Sequence, residues 1–167
     1  MTEDASGAGA TGLVELLTAA GRSVATAESL TGGLLGAAIT DVPGSSRVYR
    51  GGVVAYPSDV KQSLLRVPAD LVAAHGVVSG ECAEAMARGV RDLVAASYGV
   101  ATTGVAGPDP QEGHPAGTVW IAVAGSGTTE ARLLELGGGR AEVRRATCGA
   151  AIDLLTDILH REVPGLG

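Results

Sequence analysis

The sequence contains no phenylalanine, no asparagine and a single lysine among its 167 residues. Aromatic residues make up 2% of the chain, and twelve basic residues stand against eighteen acidic ones, for a net charge of -6. A nucleic-acid-binding surface needs clustered basic side chains, often with aromatic residues between them, and no such cluster is present. The composition therefore argues against nucleic acid as a partner.

Long apolar runs and secretion signals are also absent. The chain has no stretch of 18 apolar residues, and its N-terminus lacks the basic and apolar segments of a signal peptide. We therefore expect a cytoplasmic protein with no membrane partner. Its length and its 46% hydrophobic content suit one substantial core. We predict a flexible tail over residues 1–10 and a single domain over residues 11–163.

Familiar catalytic and metal-binding motifs are missing as well. The chain has no GxGxxG, GxxxxGK[ST], GxSxG or HExxH pattern, and its three histidines are scattered. A serine–histidine triad therefore lacks an evident histidine, and a metal site lacks a ligand cluster. Cys82 and Cys148 have neither CxxC nor Cys/His spacing, so we predict that both are small core residues.

The most informative segment that is present is TAESLTGG, Thr26–Gly33. A strand pattern over Ser23–Thr26 precedes it and a helical pattern to about Thr40 follows it, so we predict a strand-to-helix turn containing Ser29. Such turns lie at the carboxyl edge of an α/β sheet, where ligands bind and where helix N-terminal N–H groups can meet an anion or an oxyanion. The alternative is that Ser29 or Thr31 only caps the helix.

Strand and helix patterns alternate along most of the chain. Alternating or β-branched runs predict further strands at Gly51–Tyr56, Val100–Gly107, Thr118–Ala124 and Ala131–Leu136. Periods of three and four predict helices beginning near Leu13, Ser58, Pro68, Ser79 and Arg140. The order predicts a three-layer α/β/α sandwich with a mixed, mostly parallel sheet, whose last two strands form an antiparallel hairpin.

Lys61 is the only lysine beside eleven arginines. A lysine kept where arginine serves elsewhere suggests an amine that must lose its proton, although a chance surface lysine is the alternative. A neutral amine can activate a serine, and two serines compete for that role. Ser58 and Lys61 form SxxK, but the KTG element that accompanies this motif needs a second lysine. We therefore interpret Ser58 as an N-cap and favour Ser29, whose turn supplies N–H donors.

Several segments together resemble a known family. They are the run from TAESLTGG to GGVVAY, the Lys61 position, HGVVS, TTGVAGP, GTVWIAVA and GGR with a following arginine. In this order, from about Leu13 to Leu159, they are similar to the CinA C-terminal domain family. Members of this length resemble nicotinamide mononucleotide deamidases of the PncC type. The resemblance implies a nucleotide amide as substrate, no metal or organic cofactor, and a homodimer or higher homo-oligomer.

The resemblance also implies roles for individual residues. It places Ser29, Lys61 and Tyr56 at the reacting centre. It implies substrate contacts from the residues Thr31, Gly32, Gly33, Thr103, Gly104, Arg140 and Arg144. The two arginines are four residues apart at a helix start, where a phosphate can also meet N–H groups, whereas the alternative is ion pairing with Glu142 or another acid.

The chain also departs from the family pattern. Leu30 replaces a cysteine, Pro57 interrupts a polar run, and Asp109–Pro110 with His114 replaces a glycine-rich loop that often carries lysine. This last change exchanges a cation for an acid near the expected pocket. Two functional classes therefore stand: an amidohydrolase acting on nicotinamide mononucleotide, or a catalytically silent nucleotide-binding or protein-interaction module related to competence and DNA-damage proteins.

Overall fold

The computed structural model describes residues 5–165. Its strands are β1 (Val24–Glu28), β2 (Tyr49–Val54), β3 (Tyr98–Gly104), β4 (Thr118–Ala124) and β5 (Thr129–Glu135). Its α-helices are α1 (Ala5–Ala20), α2 (Leu34–Thr40), α3 (Ser58–Ser63), α4 (Ala69–His75), α5 (Gly80–Leu93) and α6 (Arg140–Glu162). None of the helices in this range is both long and apolar enough to cross a membrane.

The five strands form one mixed sheet in the order β2-β1-β3-β4-β5. β1 pairs in parallel with both β2 and β3, whereas β4 pairs antiparallel with β3 and with β5. Because two reversals restore the original direction, β5 runs with the first three strands and only β4 opposes them. This arrangement confirms the predicted mixed, mostly parallel sheet and the predicted hairpin at its end.

Helices cover both faces of the sheet and produce the predicted three layers. One face carries large apolar residues such as Val24 and Val100, and it packs against α1, α2 and α6. The other face carries alanines such as Ala101 under α5. A Cβ on Gly99 would clash with the carbonyl oxygen of Ala87, so a residue without a side chain is required where α5 crosses β3. The close approach of α5 therefore explains the asymmetry between the two cores.

Some element boundaries differ from the predicted ones. α1 begins at Ala5, not near Leu13, and Ala10 is fully buried, so residues 5–10 are helical rather than an irregular tail. Residues 1–4 lie outside the described range. β1 continues beyond Thr26 to Glu28, because its last residues still pair with strands on both sides.

One of the two predicted helix caps is confirmed and the other is wrong. Ser79 caps α5, with its Oγ accepting a hydrogen bond of 3.1 Å from the Cys82 N–H. The prediction that Ser58 caps α3 is wrong, because Pro57 occupies the cap position and Ser58 is the first helical residue. Cys82 and Cys148 are both buried and unbridged, as predicted for core residues.

Candidate active site

The candidate site lies where β1, β2 and β3 end. Because these strands run in parallel, their carboxyl ends share one edge of the sheet, as predicted for a ligand site. A cavity of about 690 Å³ opens there, within the range of small-molecule sites. Its lining includes six of the predicted site residues: Ser29, Tyr56, Lys61, Thr103, Gly104 and Arg140.

Ser29 and Lys61 meet at the base of this cavity. β2 ends shortly before the short helix α3, which turns Lys61 back beneath the strand end, and the lysine is only 1% exposed. Its Nζ lies 3.1 Å from Ser29 Oγ, and it donates to the carbonyl oxygens of Ala55 at 2.8 Å and Tyr56 at 2.9 Å. The geometry brings together the serine and the lysine that sequence reasoning had singled out.

Burial lowers the pKa of Lys61 below its ordinary value, because the ammonium loses its hydration. Negative charge at Glu112 opposes this shift, and ionisation of Cys82 would oppose it as well. Burial also raises the pKa of Cys82 to about 11, so this neighbour remains a neutral thiol near neutral pH. The environment therefore favours a lysine that can release its proton.

The three neighbours of Nζ also orient a neutral amine. A carbonyl oxygen can only accept hydrogen bonds, and a neutral amine has two N–H donors and one lone pair. When Ala55 and Tyr56 take the two N–H groups, the lone pair faces the Ser29 hydroxyl. An ammonium at Lys61 donates to Ser29, whereas a neutral amine can accept a hydrogen bond from the Ser29 hydroxyl, because a hydroxyl can donate as well as accept. This is the hydrogen-bonding arrangement of a nucleophile and its base.

The turn after Ser29 is held from several directions. The Ser29 N–H donates to the Thr102 carbonyl at 3.0 Å, and the Thr31 and Thr102 hydroxyls lie 2.8 Å apart. Gly32 and Gly33 have φ values of 58° and 100°, in the left-handed region that favours glycine. None of Thr31, Gly32 and Gly33 belongs to the cavity lining, and all three form part of the turn, so their substrate contacts stay a prediction.

The start of α2 differs from the predicted anion site. The Glu28 carboxylate, 2% exposed, accepts hydrogen bonds from the N–H groups of Leu35 at 2.8 Å and Gly36 at 3.0 Å. The protein therefore occupies these helix donors itself. In the described part of the chain, the N–H groups of Leu30 and Thr31 donate to no protein acceptor, and Leu30 lines the cavity. They are the donors of the turn that directly follow Ser29 in sequence.

The two predicted arginines have different surroundings. Arg144 donates from Nε to the Leu30 carbonyl and from Nη2 to the Thr31 carbonyl, each at 2.9 Å. Arg140 lines the cavity and donates to the Gly107 carbonyl at 2.7 Å and to Tyr56 Oη at 2.8 Å. The structure therefore brings Arg140 to the cavity, whereas Arg144 supports the turn behind it.

The alternative that Glu142 pairs with either arginine is not what the structure shows. Its carboxylate instead accepts a hydrogen bond of 2.6 Å from the Gly139 N–H at the start of α6. Arg140 and Arg144 both direct their guanidinium groups towards the site end of the sheet, where carbonyl oxygens and the Tyr56 hydroxyl receive them.

The far wall of the cavity comes from the loop after β3. Asp109 and Pro110 belong to the lining, whereas His114 does not. Thr103 is buried, and its hydroxyl donates to the Val77 carbonyl at 2.7 Å while its lone pairs remain able to accept.

Sequence reasoning missed Glu112, whose carboxylate accepts hydrogen bonds from the backbone N–H groups of Val77 and Val78. Its only signal was an acid before a glycine in a polar loop.

The family assignment follows from a match over most of the chain. Residues 8–159 fit the family model described as CinA C-terminal domain. The chain belongs to the CinA C-terminal domain family. A crystal structure of a CinA superfamily protein from Klebsiella pneumoniae has a TM-score of 0.91 and 33% identity, covering 93% of this chain and 98% of that one. The competence/damage inducible protein CihA from Agrobacterium tumefaciens gives 0.90 and 34%, covering 95% and 98%.

Longer proteins also carry this domain. A CinA-like protein from Frankia casuarinae is 49% identical over 144 residues, which is 86% of this chain and 33% of that protein. A CinA-like protein from Gemmatimonas aurantiaca is 46% identical over 143 residues, which is 84% of this chain and 33% of that protein. The chain therefore spans about a third of the length of the curated relatives it matches.

Proposed function

We propose that this CinA C-terminal domain hydrolyses the carboxamide of nicotinamide mononucleotide, giving nicotinic acid mononucleotide and ammonia. One observation carries the proposal: a buried lysine of lowered pKa has its Nζ 3.1 Å from the hydroxyl of Ser29. A serine activated by a neutral lysine is suited to attack an amide carbonyl. The family resemblance supplies the identity of the amide.

In the first half of the reaction, Ser29 Oγ attacks the carboxamide carbon while its proton passes to the neutral Nζ of Lys61. The resulting ammonium returns that proton to the amide nitrogen as the C–N bond breaks, and ammonia leaves. An ester between Ser29 and the nicotinoyl group remains. Because one amine takes and returns the same proton, no second acid is needed for this half.

In the second half, a water molecule takes the place of ammonia. Lys61 accepts a proton from the water as it attacks the ester, and the ester bond to Ser29 then breaks. The proton on Lys61 returns to the Ser29 oxygen, and the carboxylic acid loses its own proton to solvent. The sum is one amide and one water converted into one carboxylate and one ammonium ion.

The turn after Ser29 offers stabilisation for the tetrahedral oxyanion. The N–H groups of Leu30 and Thr31 have no protein acceptor among the described residues, and they follow the nucleophile directly. Arg144 donates to the carbonyls of the same two residues, which fixes their peptide planes. Preorganised backbone donors of this kind provide a large share of catalysis in acyl transfer. We assign Arg144 a positioning role in this scheme.

The phosphate needs a donor at the cavity rim. Arg140 is the arginine of the lining, and its Tyr56 partner is 55% exposed, so a ligand can reach this pair from solvent. The guanidinium fork suits a phosphate better than a single hydroxyl does. In this proposal the phosphate takes over part of the Arg140 hydrogen bonding next to the Tyr56 hydroxyl.

The direct test is the purified protein with nicotinamide mononucleotide as the sole substrate. The proposal predicts ammonia and nicotinic acid mononucleotide in equal amounts, without an added metal or organic cofactor. A parallel reaction with nicotinamide riboside, which lacks the phosphate, shows how much the phosphate contributes to substrate binding. Should neither substrate release ammonia while the folded protein still binds the mononucleotide, the domain is a silent nucleotide-binding module instead.

A further inference from the structure

The loop after β3 is fastened to the segment before α5 by one carboxylate. Glu112 Oε1 accepts a hydrogen bond of 3.2 Å from the Val77 N–H. Its Oε2 accepts from Val77 at 3.0 Å and from Val78 at 3.1 Å. Both valines line the cavity, and so do the loop residues just before the glutamate, Pro108 to Gln111. Glu112 therefore joins two parts of the cavity wall that are 34 and 35 residues apart in sequence.

The conformation of Glu112 is costly and must be held by its partners. Gln111 and His114 exchange backbone hydrogen bonds of 3.0 and 2.8 Å across a tight turn. The two central residues, Glu112 and Gly113, have φ values of 52° and 77°. This left-handed pair suits glycine, asparagine or aspartate, so a glutamate at the first position carries backbone strain.

The receiving segment is shaped to accept this carboxylate. Gly76 has a φ of 75°, and a Cβ there would lie 2.5 Å from Glu112 Oε2, so a side chain at position 76 would displace the glutamate. On the other side of the same segment, Thr103 donates to the Val77 carbonyl at 2.7 Å. The Val77 backbone is therefore bound on its N–H by Glu112 and on its carbonyl by Thr103, which itself lines the cavity.

From this geometry we propose that Glu112 is a positioning residue, which sets the width of the substrate cavity by tying the 107–117 loop to Val77 and Val78. Its kinetic consequences rest on the proposed deamidase function, whereas the tie itself does not. A carboxylate bound by several N–H groups forms stronger hydrogen bonds than a neutral acceptor, so its charge is part of the attachment.

The negative charge of Glu112 also acts on Lys61. The groups that face Lys61 are the Ser29 hydroxyl, the carbonyls of Ala55 and Tyr56, the Cys82 thiol on α5, and Glu112. A negative charge at Glu112 raises the pKa of Lys61 against the larger effect of burial. Removing that charge should lower the Lys61 pKa further and shift the rising limb of the pH–rate profile to lower pH. A purely structural tie would leave the limb in place.

Two variants separate the effect of the Glu112 charge from the effect of its side-chain length. Glu112→Gln keeps the length but removes the charge, and its amide can accept at only one end. We expect the KM for nicotinamide mononucleotide to rise about tenfold, from loss of a charge-assisted hydrogen bond, with the limb shifted to lower pH. Glu112→Asp keeps the charge but is too short, so we expect a similar KM rise with the limb unshifted. Glu81→Gln, an exposed carboxylate on α5 paired with His75, is the control.

Amide hydrogen exchange at Val77 and Val78 completes the test without requiring activity. We expect faster exchange at both positions in the two Glu112 variants and unchanged exchange in Glu81→Gln. Unchanged exchange in Glu112→Gln overturns the tie, and an unchanged KM with an unshifted limb overturns the positioning role. If the unaltered protein releases no ammonia at all, the proposed function fails by itself, and the exchange measurement still decides whether Glu112 holds the loop.

Discussion

The floor and the rim of the cavity are built differently. We define the floor as Ser29, Lys61 and the turn to Gly33, and the rim as Tyr56, Arg140 and the 107–117 loop. Ser29 is 9% and Lys61 1% exposed, whereas Tyr56 is 55% exposed. On the floor, Lys61 donates to two backbone carbonyls, those of Ala55 and Tyr56. At the rim, a side chain holds another side chain in the pair of Arg140 and Tyr56.

This difference indicates a division of labour. Backbone partners cannot change rotamer, so the floor keeps Ser29 and Lys61 in one geometry before any substrate arrives. Exposed side chains can exchange partners when a ligand enters. Changes in the floor should therefore lower kcat, whereas changes in the rim should mainly raise KM. The variants below test that distinction, beginning with the largest expected effect.

Ser29→Ala should reduce turnover of nicotinamide mononucleotide by about four orders of magnitude or more, because the nucleophile is lost. Ser58→Ala is the matched control, since Ser58 lines the same cavity at the start of α3. No side chain caps α3 among the described residues, so this second change should cost little stability or activity. Steady-state ammonia release compares them. An inactive Ser58 variant beside an active Ser29 variant would transfer the nucleophile to the SxxK serine.

Arg144→Gln should lower kcat about 10- to 100-fold with little change in KM, because the guanidinium supports the turn carbonyls of Leu30 and Thr31 without lining the cavity. Arg145→Gln is the control, as the next residue on α6 and an exposed one. The measurement is kcat and KM separately for both variants. A large rise in KM with normal kcat would show that Arg144 binds the substrate after all.

Arg140→Ala should raise the KM for the mononucleotide about tenfold and change that for nicotinamide riboside little, because the riboside lacks the phosphate. Its kcat should remain close to that of the unaltered protein. Parallel kinetics on the two substrates provide the comparison. Equal losses of kcat/KM on both substrates would place Arg140 at the reacting amide rather than at the phosphate. The distinction between the floor and the rim would then fail for this residue.

The smallest expected effect concerns stability and pH. The pKa of Lys61 is lowered by folding, so between its folded pKa and about 10.5 the unfolded chain holds a proton that the folded protein lacks. Stability therefore rises with pH across that window, by at most about 1.4 kcal/mol per pH unit. Lys61→Met removes this contribution. We expect urea unfolding between about pH 7 and about pH 10 to show that, as the pH rises, the free energy of unfolding of the unaltered protein increases relative to that of Lys61→Met. Parallel curves would mean that Lys61 titrates normally.

Local features of the fold and the floor were visible in the sequence. Periodicity predicted the helices and strands, because each pattern repeats within a few residues. The glycine pair after Ser29 predicted the turn that it forms, since both glycines adopt left-handed conformations. Lys61 was recognisable because an arginine-rich chain kept one lysine. These signals depend on single residues or short spacings, and the structure then brings the two predicted side chains together.

Other contacts between residues far apart in sequence were not predicted. Arg140 and Arg144 lie four residues apart in the first part of α6, and only the packing of α6 shows that one reaches the cavity and the other the turn. The strand pattern was predicted over Ser23–Thr26, but β1 continues to Glu28, whose carboxylate accepts the α2 N–H groups that were predicted to meet a ligand. Glu112 finds its partner Val77 across 35 residues. Such contacts depend on how the helices, strands and loops pack against one another, and this packing cannot be read from a single sequence.

The central claim is that a lysine kept neutral by burial activates Ser29. The most direct test is kcat/KM for nicotinamide mononucleotide from about pH 6 to about pH 10, measured for the unaltered protein and for Lys61→Arg. We predict a rising limb with an apparent pKa below 10.5 in the unaltered protein, and a loss of about 10²- to 10⁴-fold without that limb in the arginine variant. An arginine variant that retains near-normal turnover with the same limb would contradict the account.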